Sequence, residues 1–225
     1  MPRQRKLLGF HRGRTRVRRR RSPEVARGEI LDAAERVFGE LYPDQAGLKD
    51  VADEAGVSHA LVTHYFGTYD GLVEAALQRR VLALREQVIA RLREAGAVSR
   101  PGELLGILFR ALADPVHLRL MKYMVASERP GGNTAFALQD HGLQMIAAQV
   151  VEALAPRDAH RLIPVTEIAL LTAVAAAFGY ATAKFALARA VGRPPSRALD
   201  EDVQHTLGAM LQSYLHAQLG AAIPS

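Results

Sequence analysis

The sequence predicts an all-α chain. Three observations carry that expectation. Apolar residues recur at three- and four-residue intervals, as in Ile30, Ala33, Ala34, Val37, Phe38 and Leu41. Prolines and glycines punctuate these stripes. Neither an alternating strand pattern nor an Asn-Gly hairpin signal occurs. With 225 residues, 49% of them apolar, the chain can bury a real core as one domain or two small ones.

The elements follow in order. Residues 1–21 include the run HRGRTRVRRRR and hold no acid, so this segment reads as a disordered arginine-rich arm. Ser22-Pro23-Glu24 is a helix start: a capping hydroxyl, a proline in the first turn and an acid at the positive end of the helix. Tyr42-Pro43-Asp44 ends that helix. Two short helices, Leu48–Ala55 and His59–Tyr65, come next around Gly56. Ala52 stands four places before this glycine and Val62 six places after it, which is the spacing a DNA-reading helix-turn-helix requires. The small residue lets the helices approach, the glycine takes the turn, and the valine anchors the second helix. Ser58 caps that second helix, which would present His59, Ala60, Thr63 and His64 outward. The bland alternative is an ordinary helical hairpin.

Thr68 then caps a long helix, about Tyr69–Ala95, and the domain boundary is placed within it, near Arg79-Arg80. This divides the chain into the arm (1–21), a helix-turn-helix unit (22–80) and a C-terminal unit (81–225). Helices are expected at Glu103–Ala113, Val116–Glu128, Ala135–Leu154, Thr166–Val191 and Ala198–Leu219, separated by Pro101, Pro115, Pro130-Gly131-Gly132, Pro156, Pro164 and Pro194-Pro195.

Charge is distributed unevenly. Residues 1–22 carry ten Lys or Arg, while the rest of the chain carries 19 basic residues against 23 acidic ones. The net +6 therefore comes from one end, as expected of a nucleic-acid arm on a near-neutral body. The alternative is a solvated tail. There is no cysteine, hence no disulfide and no thiolate metal site, which suits a reducing, cytoplasmic setting. No secretory signal is visible, and the longest uncharged run, Ile168–Ala183, falls short of the roughly 18 residues of a membrane span. A buried helix, without a membrane partner, is expected.

The pieces ILDAAERVFGE, LKDVADEAGVS and HYFGTYDGLVEAAL, between Arg27 and Leu77, resemble the N-terminal DNA-binding domain of TetR-family transcriptional regulators. The resemblance implies an N-terminal three-helix DNA-binding domain and a C-terminal helical bundle for ligand binding and dimerisation. It implies a homodimer on a palindromic double-stranded operator, released by a small-molecule effector, and a nucleoid-associated location. Lys49 would reach a base or phosphate, Ser58, His59, Ala60, Thr63 and His64 would line the recognition surface, and Tyr65 would touch phosphate. The chain departs from the family pattern at Ala46-Gly47, Leu61 and Thr63, so two customary phosphate contacts are in doubt. Residues 23–80 also hold five basic and eleven acidic residues, a poor balance for meeting DNA. Arg18, Arg19, Arg20 and Arg21 of the arm are therefore expected to supply much of the attraction.

In the C-terminal unit, Phe109, His117, Met121, Tyr123, Met124, His141, Met145 and Phe178 are candidates for an effector pocket, with plain core packing as the alternative. Ala169, Ala173, Ala176, Val203, Leu207, Met210, Leu211 and Tyr214 lie on helices suited to a four-helix dimer interface. No cofactor, metal or enzymatic role is expected: there is no phosphate loop, no G-x-S-x-G elbow and no H-E-x-x-H. A competing reading is a helical small-molecule or lipid carrier whose basic tail binds membrane or RNA.

Overall fold

The computed structural model describes residues 22–94, 101–127, 141–154 and 159–219. Among the described residues there are nine helices and no strand. They are α1 (Pro23–Glu40), α2 (Leu48–Ala55), α3 (His59–Phe66), α4 (Tyr69–Leu92), α5 (Pro101–Ala113), α6 (Pro115–Ala126), α7 (Gly142–Leu154), α8 (Ala159–Ala190) and α9 (Arg197–Leu219). The arginine arm lies outside the described residues, as do Ala135 to Asp140, where the sequence expects the start of the seventh helix.

Caps set the helix starts. The Ser22 hydroxyl accepts from Val25 N at 3.3 Å, Thr68 from Gly71 N at 3.0 Å, and the Asp114 carboxylate from His117 N at 2.9 Å. Each satisfies an amide that the first helical turn leaves without a partner. One expectation needs correction. Pro164 does not separate two elements but sits inside α8, whose 32 residues begin at Ala159 and depart from helical geometry at Ala183. Proline near the start of a helix loses only one internal hydrogen bond, and packing against neighbouring helices carries the segment past it.

The apolar interior does not divide at residue 80. A first cluster joins Ile30, Phe38, Val51, Val62, Leu72 and Leu77 of α1–α4 to Leu112 of α5, Leu120, Met121 and Met124 of α6, and Ala177 of α8. A second joins Leu105, Val151, Leu162, Ala169, Ala173, Leu211 and Leu215. Leu108, Phe109 and Leu207 pack against both. The N-terminal unit is thus closed underneath by α6.

By length and composition α8 could cross a membrane. Its Ala169, Ala173 and Ala177 face the bundle, whereas Ile168 (58%) and Phe185 (77%) are exposed.

Candidate nucleic-acid interface

The helix-turn-helix forms as its spacing demands. Gly56 ends α2 in the left-handed region at φ +63°, and Val57 N donates to Ala52 O at 3.0 Å across the turn. A residue with a Cβ resists that conformation. Val51, Ala52 and Val62 are buried, so the two helices share one apolar seam. The Ser58 hydroxyl accepts from Leu61 N at 3.2 Å and fixes the start of α3.

This leaves one edge of α3 bare. Ser58, His59, Ala60, Thr63 and His64 are all exposed, as is Lys49 on α2. Tyr65 is half-buried, its ring edge-on to His64 at 5.3 Å between centroids. The Thr63 hydroxyl donates to His59 O at 3.1 Å, which leaves its oxygen lone pairs as acceptors. Exposed imidazoles and a hydroxyl on a capped short helix are groups able to read base edges in a major groove.

Electrostatics sharpen the charge deficit of this unit. Three of its five basic residues are consumed internally. Arg36 pairs with Glu54 at 2.5 Å, Arg79 with Asp32 and Glu35, and Arg80 with Glu35 and Asp114. Arg27, placed over the Phe66 ring at 5.2 Å, and Lys49 have no carboxylate partner in an ion pair among the described residues. Arg27 is a basic group near α3 that sequence reasoning passed over, because nothing in its spacing distinguishes it from any helix-surface arginine.

Sequence reasoning also missed a polar seam joining this unit to α6. Arg80 bridges Glu35 of α1 (2.6 Å) and Asp114 of α6 (2.7 Å). Arg119 donates to Phe38 O and Gly39 O, both at 3.0 Å, and stacks on Tyr42 at 4.5 Å. It thereby satisfies carbonyls at the C-terminal end of α1. Tyr123 donates to Asp70 of α4 at 2.8 Å. Burial and the nearby Arg80 push His117 down to about 4, against the opposing pull of Asp114. Burial alone would raise Asp114, but the His117 N–H and Arg80 outweigh it and hold its carboxyl below the ordinary range.

The remaining sequence candidates divide. His117, Met121 and Met124 are buried in the first core, and Phe109, Tyr123 and Phe178 pack against it. His141 and Met145 (46% exposed) lie on the surface instead. Of the proposed interface residues, Ala169, Ala173 and Leu211 face their own subunit's second core, and Val203 and Leu207 are half-buried. Ala176, Met210 (64%) and Tyr214 (43%) are exposed. One helix stripe has two edges, and burial assigns Ala169, Ala173 and Leu211 to the inner one and Ala176, Met210 and Tyr214 to the outer one.

An exposed second helix held by a glycine turn against a three-helix unit, followed by further helices among the described residues, has the geometry of a helix-turn-helix. Residues 30–76 match the family described as bacterial regulatory proteins, tetR family. The HTH-type transcriptional regulator BetI of Cronobacter sakazakii is 32% identical over 99 residues, 44% of this chain and 49% of that protein. The chain thus spans about half the length of the curated relatives it matches. Two solved structures share the fold: a tetR-family transcriptional regulator from Streptomyces coelicolor and the SmeT–triclosan complex. The first has a TM-score of 0.60 at 24% identity, covering 89% of this chain and 87% of that one. The second has a TM-score of 0.51 at 16% identity, covering 89% and 95%. Residues 30–76 thus resemble the tetR-family DNA-binding segment, and the relatives that the chain matches bear the names of transcriptional regulators.

Proposed function

We propose that this chain is a ligand-responsive transcriptional repressor of the cytoplasm. As a homodimer it binds a palindromic operator and is released by a small apolar molecule. The observation that carries the reading is the bare edge of α3, with His59, Ala60, Thr63 and His64 exposed beyond a glycine turn in the left-handed region. Dimerisation is supported by the exposed apolar and small residues of α8 and α9, Ile168, Leu171, Ala176, Met210 and Tyr214, which suit close helix packing against a second copy. An apolar effector is supported by the SmeT–triclosan likeness and by the apolar interior of α5, α6 and α8.

In this scheme Arg18 to Arg21 attract the phosphates and α3 selects the bases. Footprinting on DNA flanking the chain's own gene tests the reading. Protection of a short palindrome is expected. Uniform, sequence-blind binding would instead favour the helical carrier with a basic tail.

A further inference from the structure

A groove of about 700 Å³, open to solvent, lies between α5 and α9 and is also lined by Arg91 of α4. Glycines form its floor. A Cβ on Gly208 would stand 3.1 Å from Gly102 Cα, so any larger residue there would push the two helices apart. A Cβ on Gly106 would stand 3.0 Å from the Gln204 carboxamide nitrogen and 3.3 Å from an Arg110 guanidinium nitrogen. The Arg110 head group therefore lies beside bare backbone at the floor of the groove.

The charges around it are not equivalent. Arg91 is held by Glu94 and Glu103, and Glu201 is held by Arg197 at 2.8 Å. Gln204 Nε2 donates to Gly102 O at 3.3 Å. Both carboxylates of the groove thus have an arginine partner, while Arg110 has no ion-pair or hydrogen-bond partner among the described residues. His205, exposed on α9, adds a ring donor or acceptor to the same groove. The volume is in the range of small-molecule sites.

We infer that this groove binds a small organic carboxylate bearing an apolar tail, anchored by Arg110. The planar guanidinium offers paired donors that match a carboxylate. One guanidinium without a carboxylate partner matches one ligand carboxylate. The glycine floor, continued by Ile107 and Ala209, gives an alkyl tail a surface to cover. A phosphate would find no second free cation and would leave the apolar floor wet. The site is separate from Phe109, Met121 and Met124, and does not depend on the proposed effector reading.

The test uses the full chain with octanoate, followed by calorimetry and by the His205 ring resonances, assigned with His205→Asn. Saturable binding that moves the His205 signals is expected, and Arg110→Gln should weaken it about tenfold through loss of a charge-assisted bond. Arg110 is exposed, so the variant should keep the parent Tm. Octanol, which lacks the carboxylate, should bind at least about tenfold more weakly at the His205 signals, and inorganic phosphate should not saturate them. Equal octanoate affinity in Arg110→Gln, or equal response to octanol or phosphate, would overturn the assignment.

Discussion

At the scale of single residues, exposure separates recognition from stability. His59 and Thr63 are exposed, so His59→Ala and Thr63→Ala should leave Tm within about 2 °C while weakening operator binding by about 1–3 kcal/mol each. Electrophoretic shifts at fixed salt check this, and unchanged affinity in both variants would remove them from the reading surface. His117 behaves oppositely, touching stability and not DNA. Its ring takes up a proton near its ordinary 6.5 when unfolded but only near 4 when folded. The neutral ring therefore favours the fold. That contribution is complete above about pH 6.5 and is lost as pH falls toward 4, on the order of 3 kcal/mol at most. Urea titrations of His117→Gln should have a flatter pH dependence across this window than the parent.

Helix ends carry the next level. Gly56 has no atoms within 4 Å of a built Cβ, so Gly56→Ala meets open space and costs only the strained left-handed backbone, about 1 kcal/mol. Gly56→Asn should cost less, because asparagine tolerates that region, and chemical denaturation orders the two. Arg119→Ala removes donors from two carbonyls at the end of α1 and should destabilise by about 1–2 kcal/mol. In the repressor reading it should also loosen the grip of α6 on α1 and blunt the response to effector. The repeat patterns, the Ser22, Ser58 and Thr68 caps and the Gly56 turn were legible from sequence because each depends on residues within four places of one another. The Arg80–Asp114 and Arg119–Phe38 links were not. Their partners lie 34 and 81 positions apart, and no local pattern announces such pairings. The pocket and interface residues were only half legible, because periodicity finds a stripe without telling which edge faces inward.

Across the whole molecule, charge and surface divide the labour. Three internally paired arginines leave the helix-turn-helix unit few cations for phosphate. Deleting residues 1–21 should therefore weaken DNA binding and flatten its dependence on salt, since fewer counterions are released. Parent-like affinity at matched salt would show that the arm is not the adhesive. The exposed stripe on α8 and α9 gives a parallel expectation for assembly. Met210→Glu places a charge where a second copy would pack and should convert dimer to monomer, as read by light scattering.

The first hydrophobic cluster, which runs from α1 to α6 without a break at residue 80, governs how the protein comes apart. A unit whose floor is Leu120, Met121 and Met124 cannot melt alone while α6 stays in place. Heating should accordingly give a single calorimetric endotherm spanning reader and bundle. A fragment cut after Arg80 should lack cooperative unfolding, so transplanting the reader into another protein would require carrying α6 with it.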